Sequence, residues 1–250
     1  MLLQKTESAL VLGTMPDEQQ VISDYLKAGI EQPSLLLWQY RDPAVIMGCS
    51  QRPDKAQSDR AMQAGLPIMR RGSGGGAVLA GPWMLSFTLF IPADHPIAEL
   101  NIIDIFGWFE QIWMQTLQQV GVPAQGVNKA MIDHSKKVAK EQSVDWACYA
   151  GLSHGEIVSL DGRKLVGLAQ IRKRKGVALV SGLHLAACDW SLLSQVVVNK
   201  PEQGEILQAL NSDAEALSGI DKEKLLPSII RAFSDQLPSD FTLFEPTQEL

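Results

Sequence analysis

Apolar residues recur at the three- and four-residue spacing of an amphipathic helix in several segments of the chain. The strongest pattern covers residues 102–120, where apolar side chains line one face and Gly121 provides a stop signal. A second helix is predicted at residues 15–29, with Gly29 as its C-cap. Shorter helices are predicted at residues 55–65, 204–210 and 221–236, and Pro227 is an alternative start for the last of them.

Other segments carry the apolar runs and turn signals of β-strands. Residues 83–91 are rich in aromatic side chains and are bounded by Pro82 and Pro92, which predicts a buried strand. The dipeptide Asp161-Gly162 supplies the positive φ angles of a tight hairpin turn between residues 156–160 and 164–170. Further strands are predicted at residues 35–40, 44–47, 67–71 and 177–185.

The strands dominate the middle of the chain and the helices flank them, without a regular alternation of strand and helix. This order predicts an α+β fold with mixed or antiparallel central sheets flanked by helices. No convincing linker precedes about residue 190. We therefore expect a main domain over residues 1–190 and a helical extension over residues 191–250 that packs on the same domain.

Composition narrows the class of protein. The net charge of −6 argues against a general nucleic-acid binder, which is normally basic. Three cysteines without metal-ligand spacing indicate neither a zinc site nor a disulfide framework, so no metal is expected. Charged and polar residues interrupt the segment 102–120, and the N-terminus has no long apolar stretch, which predicts a cytoplasmic protein that does not enter the membrane.

The densest glycine cluster of the chain follows the strand predicted at residues 67–71. Consecutive glycines let the backbone approach a ligand and expose amide donors that can hold a carbonyl or phosphate oxygen. The two arginines before them add fixed positive charge. The cluster lacks the spacing of the common nucleotide-binding loops. Its sequence is Arg70-Arg71-Gly72-Ser73-Gly74-Gly75-Gly76-Ala77-Val78.

These residues resemble the acyl-pocket motif of the lipoate-protein ligase and octanoyltransferase family, in the biotin/lipoate protein ligase catalytic-domain superfamily. Gly48 and Gln51 match the early G-x-x-Q element of the family, and residues 162–172 (GRKLVGLAQIR) resemble its G-(R/K)-K-(I/L)-x-G-x-A-Q-x-R hairpin. The matches extend over residues 35–186 in the expected order. The resemblance implies a biotin/lipoate ligase-like catalytic domain. It implies acyl or adenylate binding by Arg70, Arg71, Ser73, Gly74, Gly75, Gly76, Ala77, Gly167, Ala169 and Gly182.

Two further residues gain a catalytic role from the resemblance. The lysine that matches Lys164 reaches into the pocket in this family and polarises the acyl carbonyl or the adenylate, and an ammonium can stabilise the oxyanion of acyl transfer. Cys148 has the placement of the nucleophile of cysteine-dependent octanoyltransferases, where a nearby cation such as Lys164 would favour the thiolate. Outside the resemblance, Lys164 would be a solvated hairpin residue and Cys148 a small buried side chain.

The sequence also departs from the family pattern. Family members commonly carry a histidine shortly after the glycine cluster, but residues 78–82 contain none, and Ser181 replaces the histidine of the later H-G-x-x-L element. His134 and His154 flank Cys148 along the chain and are candidate bases. Only about 60 residues follow the last matched strand, which is too few for the accessory domain of bacterial ligases and favours a transferase.

Three functions follow from these residues. The first is transfer of an octanoyl or lipoyl group through a Cys148 thioester to the lysine of a lipoyl-domain protein, with an acyl carrier protein as candidate donor. The second is an ATP-dependent lipoate-protein ligase, which alone would need ATP and Mg²⁺. The third is a non-catalytic binder of lipoate or of a lipoylated protein. The basic run 172–175 is either a solvated hairpin tip or a docking site for an acidic carrier or lipoyl domain.

Overall fold

The computed structural model describes residues 10–244, which form two β-sheets and the helices around them. The strands in this range are β1 (Leu10–Gly13), β2 (Ser34–Tyr40), β3 (Ala44–Met47), β4 (Ile68–Arg70), β5 (Val78–Ala80), β6 (Met84–Pro92), β7 (Ala124–Gly126), β8 (Ile157–Ser159), β9 (Lys164–Lys173), β10 (Gly176–His184) and β11 (Thr242–Leu243). The helices are α1 (Met15–Ala28), α2 (Lys55–Gln63), α3 (Pro96–Glu99), α4 (Ile102–Gln119), α5 (Lys129–Glu141), α6 (Trp190–Val198), α7 (Gln203–Leu210), α8 (Ala214–Ser218) and α9 (Lys222–Asp235).

The large sheet is mixed, as predicted. Its strand order is β1-β2-β6-β10-β9-β8-β7, and β11 also pairs with β2. The pairs that β2 makes with β1 and β11 are parallel, and the other neighbours are antiparallel. The predicted hairpin between β8 and β9 is confirmed, with Gly162 at φ +86° in its turn.

A small three-stranded sheet lies over one face of the large sheet. Its order is β4-β3-β5, and the glycine cluster connects β4 to β5. Together with α1 it encloses a core that contains Trp38, Phe90 and Tyr149. On the opposite face, α4 and α9 pack against a second core around Phe87 and Trp113.

Capping residues explain where helices α1 and α4 begin. The side chain of Thr14 accepts a hydrogen bond from the amide of Asp17, whose carboxylate accepts one from the Thr14 amide, so a capping box starts α1. The amide of Gly29 ends this helix by donating to the carbonyl of Tyr25. Asn101 caps α4 by accepting hydrogen bonds from two backbone amides, those of Ile103 and Asp104.

The C-terminal region corrects one prediction. Helix α9 begins at Lys222, after the side chain of Asp221 accepts from the amide of Glu223, so a start at Pro227 is wrong. Pro227 lies inside the helix, where it cannot donate to the carbonyl four residues before it. The cap and the apolar contacts of the helix outweigh this loss.

Four helices were not predicted from the sequence: the short α3 and α8, and the longer α5 and α6. Helix α5 fully buries only Ser135 and Ala139, with Met131, Ile132 and Val138 half-buried beside them, so its apolar stripe is short. Helix α6 is apolar on nearly all sides because it packs between α7 and α2. A division at residue 190 stays a prediction. No helix within residues 10–244 has the length and hydropathy needed to cross a bilayer.

Candidate active site

Cys148 lies directly beside the glycine cluster. Its backbone amide donates to the carbonyl of Ala77 at 2.8 Å, and the amide of Ala77 donates to the carbonyl of Trp146 at 2.9 Å. The two segments approach so closely at Gly76 that a Cβ atom there would lie 2.5 Å from the Trp146 carbonyl oxygen. A glycine is therefore required at position 76 for the cluster to reach the cysteine.

Arg71 connects the glycine cluster to the sulfur of Cys148. Its Nη2 atom donates to the carbonyls of Gly74 at 2.7 Å and Gly76 at 3.1 Å, and it lies 3.8 Å from Cys148 Sγ. Arg70, by contrast, is exposed and donates to the carbonyl of Cys49 at 3.3 Å. Only the second of the two adjacent arginines therefore reaches the cysteine.

Free backbone amides lie beside the same sulfur. The amides of Gly74, Gly75 and Gly76 donate to no other residue in the part of the chain that the structure describes. Gly75 has φ +101°, and a Cβ atom there would lie 3.5 Å from Cys148 Sγ. Donors with no internal partner next to a nucleophile are what an oxyanion requires.

Lys164 binds the backbone of the turn that contains Cys148. The Nζ atom donates to the carbonyls of Cys148 and Gly151, both at 3.1 Å, and forms an ion pair of 2.7 Å with Glu156. It also lies 4.8 Å from the centre of the Tyr149 ring. The ammonium and its carboxylate partner are almost fully buried, and all three N–H donors are occupied. Lys164 thus contacts the backbone of Cys148, and the cation near the sulfur is Arg71.

Tyr149 forms one wall of the pocket next to Cys148. Its hydroxyl donates to the carbonyl of Gly182 at 2.8 Å. Gly167 and Gly182 are paired across β9 and β10, and a Cβ atom on either would approach the Tyr149 hydroxyl to 3.0 or 3.2 Å. Both glycines therefore make room for this tyrosine. Burial raises the pKa of the Tyr149 hydroxyl well above its ordinary value.

His184 stacks on the other side of this ring. Its ring centroid lies 4.6 Å from that of Tyr149 with an interplanar angle of 14°, and Trp190 lies 5.2 Å from it. Burial, followed by the charge of Lys164, lowers the pKa of His184 to about 3, so this imidazole is neutral at ordinary pH. Its Nε2 atom has no hydrogen-bond partner within residues 10–244.

A narrow pocket extends from Cys148 between α1 and the large sheet. Its free volume is about 70 Å³. Cys148, Arg71, Ser73, Gly167, Ala169 and Gly182 from the predicted site line it. Lys164, Arg70 and the other cluster residues, Gly74, Gly75, Gly76 and Ala77, are not part of the lining, although Gly76 and Ala77 hold the cysteine segment.

The same pocket contains a polar group that the sequence patterns did not reveal. Glu18 is fully buried, and one of its carboxylate oxygens accepts a hydrogen bond from the hydroxyl of Tyr40 at 2.7 Å. The other oxygen has no partner among the described residues. Burial raises the pKa of the Glu18 carboxyl. A signal existed, because Met15, Glu18, Ile22 and Leu26 share the buried stripe of α1.

The remaining candidates lie elsewhere. His154 contacts the carbonyl of Ile103 at 3.1 Å, and His134 is exposed. Cys49 is exposed, whereas Cys188 is buried and its thiol pKa is raised by that burial. Ser181 lines the pocket where the family pattern has a histidine, and its hydroxyl donates to the carbonyl of Phe87 at 3.3 Å. Within residues 10–244 no cluster of three His, Cys, Asp or Glu side chains could hold a metal ion.

The mixed sheet, the overlying small sheet and the pocket at their junction define the architecture of lipoate ligase catalytic domains. A crystal structure of lipoate-protein ligase A bound with ATP superposes with a TM-score of 0.69 at 18% identity, over 96% of this chain and 89% of that one. A protein of T. acidophilum solved with lipoic acid bound gives a TM-score of 0.67 at 18% identity, over 96% and 87% of the two chains.

Sequence comparison identifies the family. The model of the lipoyl protein ligase A/B catalytic domain matches residues 17–234, and the chain belongs to this family. Octanoyltransferase LipM of Exiguobacterium sp. is 25% identical over 247 residues, which cover 98% of this chain and 88% of that protein. The resemblance drawn from the motifs is thereby confirmed.

Proposed function

We propose that the protein transfers an octanoyl or lipoyl group to the lysine of a lipoyl-domain protein through a thioester on Cys148, with an acyl carrier protein as donor. The observation that carries this proposal is the position of the Cys148 sulfur. It lines the pocket, lies 3.8 Å from a guanidinium and lies next to Gly75, whose backbone amide has no partner among the described residues. The similarity to a curated octanoyltransferase supports the same chemistry.

The first half-reaction loads the cysteine. The Cys148 thiolate attacks the carbonyl carbon of the donor thioester, and the negative charge that develops on oxygen is stabilised by the amides of Gly74 to Gly76. Collapse of the tetrahedral intermediate breaks the donor C–S bond. The donor thiolate leaves and takes up a proton, and the acyl group remains on Cys148.

The second half-reaction transfers the acyl group from Cys148 to the acceptor. The neutral amine of the acceptor lysine attacks the Cys148 thioester and forms an amide bond. The thiolate of Cys148 leaves, and the amine loses a proton to solvent. The acyl chain would lie in the narrow pocket throughout, where each buried CH₂ contributes about 0.8 kcal/mol.

Lys164 is assigned a positioning role. Its three donors hold the Cys148 and Gly151 carbonyls and Glu156, so it fixes the turn that carries the nucleophile. It cannot donate to an acyl carbonyl without breaking one of these bonds. The sequence-based expectation that it polarises the carbonyl directly stays a prediction.

The ligase alternative would require cations that are available to a phosphate. The guanidinium of Arg71 is committed to the carbonyls of its own loop, and the ammonium of Lys164 is committed to three acceptors. These two residues therefore support no step through ATP or Mg²⁺ in the arrangement seen here, whereas Arg70, Lys173 and Arg174 nearby remain available to an anion. No contact in the described residues favours a silent binder over a transferase.

Intact-mass analysis tests the proposal. The protein is incubated with octanoyl-loaded acyl carrier protein without ATP, and a hydroxylamine-labile octanoyl adduct is expected. Cys148→Ser should abolish the adduct and the transfer to a lipoyl domain, whereas Cys49→Ser, which removes an exposed cysteine outside the pocket, should retain both. An unmodified wild-type protein that transfers lipoate only with ATP and Mg²⁺ would overturn the proposal in favour of a ligase.

A further inference from the structure

A basic groove runs outward from the pocket that contains Cys148. It lies between α1, the strand β4 that leads into the glycine cluster, and the tip of the β9–β10 hairpin, and its volume is about 680 Å³. The groove and the narrow pocket share Gln19, Arg71 and Ile171 in their walls. The groove therefore adjoins the pocket that the Cys148 sulfur lines.

The charge of this groove contrasts with that of the protein. The whole chain has a net charge of −6, yet the described residues that line the groove contribute six cations and no carboxylate. The cations are Lys27, Arg70, Arg71, Lys173, Arg174 and Lys175. Such a local concentration of one sign attracts an anionic partner and speeds its encounter.

The tip of the β9–β10 hairpin, at the outer end of the groove, is bound to the end of α1. The Nζ atom of Lys175 donates to the carbonyls of Lys27 and Ala28 at 2.9 Å each, and thereby satisfies carbonyls at the C-terminus of α1. Lys173 and Arg174, at the same tip, are exposed and make no ion pair among the described residues. An anchored turn thus presents two free cations at the mouth of the groove.

Distance along the hairpin constrains the shape of the partner. Gly167 lines the pocket with Cys148, and Arg174 is seven residues further along the chain, which corresponds to about 23 Å at roughly 3.3 Å per strand residue. A domain that contacts the hairpin tip must therefore bring its reacting group to Cys148 on a long, thin arm. The apolar side chains of Ile22, Leu26 and Ile171 form a surface along which the arm can lie.

We propose that this groove docks the acyl donor as an acidic carrier domain, whose thioester arm lies along Ile171 toward Cys148 while its acidic surface contacts Lys173 and Arg174. The inference rests on the proposed transfer function. The sign of the charge favours the donor in this groove, because a phosphate-bearing arm would be attracted to Arg70 and Arg71, whereas the neutral amine of an acceptor lysine has no charge for the groove to attract.

The test compares donors on one charge-reversed variant. Lys173→Glu/Arg174→Glu changes only exposed residues outside the catalytic machinery, and Lys222→Glu/Lys224→Glu on α9 is the matched control. With octanoyl carrier protein at low salt, the hairpin variant should acylate Cys148 at least tenfold more slowly than the wild type and the control. With an uncharged octanoyl thioester that lacks phosphate, all three proteins should react at the same rate.

The remaining outcomes identify the occupant. An equal loss with octanoyl-coenzyme A would mean that the groove recognises only the phosphate-bearing arm, and slower unloading to a lipoyl domain with unchanged loading would mean that it binds the acceptor. Either result overturns the proposal, as does an unchanged rate with the carrier protein.

Binding to the Cys148→Ser protein separates this inference from the proposed function. The equilibrium affinity of octanoyl carrier protein should fall at least tenfold when the two hairpin substitutions are added. If the wild type forms no adduct with any donor but this loss of affinity is observed, the transfer chemistry fails and the docking surface stands. Equal affinities with and without the substitutions refute the docking surface even if the adduct forms.

Discussion

The two faces of the large sheet differ in the side chains that they bury: one face buries mainly apolar and aromatic residues, and the other also buries polar and charged residues. Along β6, Phe87 and its alternate neighbours point into the core beneath α4 and α9, where Phe87 lies 4.8 Å from Trp113 and 4.4 Å from Phe233 between ring centroids. The intervening residues, which include Ser86 and Thr88, belong to the face covered by α1 and the small sheet. That face buries Glu18, Lys164 and His184 as well.

We call the face under α4 and α9 the packed face, because its contacts stabilise the fold. We call the face under α1 and the small sheet the site face, because it contains the pocket. Aromatic side chains fill the first without gaps and contribute most where they are fully buried. The second contains polar atoms that have lost water without gaining a hydrogen-bond partner, among them the hydroxyl of Thr88 and Nε2 of His184. Such atoms cost stability. Those of Glu18 and Ser86 line the pocket, whereas the packed face has one among the described residues, Nε1 of Trp113.

The largest effect should come from a matched pair of substitutions on adjacent residues. Phe87→Ala should lower the free energy of unfolding by about 3–5 kcal/mol, because it opens a cavity in the aromatic core. Thr88→Val should be neutral or stabilising, because the hydroxyl that it removes has no partner among the described residues. Urea denaturation of both variants measures the difference, and a loss for Thr88→Val as large as that for Phe87→Ala would break the comparison.

The buried ion pair of the site face should show strong coupling. Lys164→Met leaves Glu156 buried without its partner and should destabilise the protein by about 3 kcal/mol or more. The double substitution Lys164→Met/Glu156→Leu should cost clearly less than the sum of the two single changes, because it leaves no unpaired charge. Strictly additive losses in a thermal or urea unfolding cycle would show that the pair is not coupled.

Per pH unit, the smallest effect is the dependence of stability on pH that His184 of the site face should contribute. Burial lowers the pKa of His184 from 6.5 to about 3, so between these values the unfolded chain binds a proton that the folded protein does not. The wild type should therefore lose about 1.4 kcal/mol of stability per pH unit from this group as the pH falls below 6.5. His184→Phe keeps the stacked ring and should remove that contribution. Parallel stability profiles of wild type and variant between pH 6.5 and 4 would contradict the assignment.

Much of the fold was predictable from the sequence because its elements are locally determined. The apolar stripe of α4, the aromatic run of β6 and the Asp161-Gly162 turn each specify one conformation from neighbouring residues. Helix α5 was not predicted, since charged residues separate the few apolar residues of its short stripe and the core on which that stripe packs is formed by distant segments.

The site was predictable as a set of motifs but not as an arrangement. The sequence indicated that Cys148 and the glycine cluster act together, and the close approach at Gly76 brings them together. It did not indicate that Arg71 would be the cation near the sulfur, nor that Glu156 would occupy the third donor of Lys164. Those pairings depend on where residues far apart in sequence meet.

The sequence by itself determined most of the elements and the family resemblance, and it predicted Cys148 as the nucleophile, because spacing and residue type are local properties. Only the tertiary structure decided which charges are paired, which polar groups are buried and which cations remain free in the groove. The physical reason is that burial and charge pairing depend on the distances between atoms of different elements. Six cations distributed among α1, β4, the glycine cluster and the β9–β10 hairpin form one surface only after the sheets have assembled.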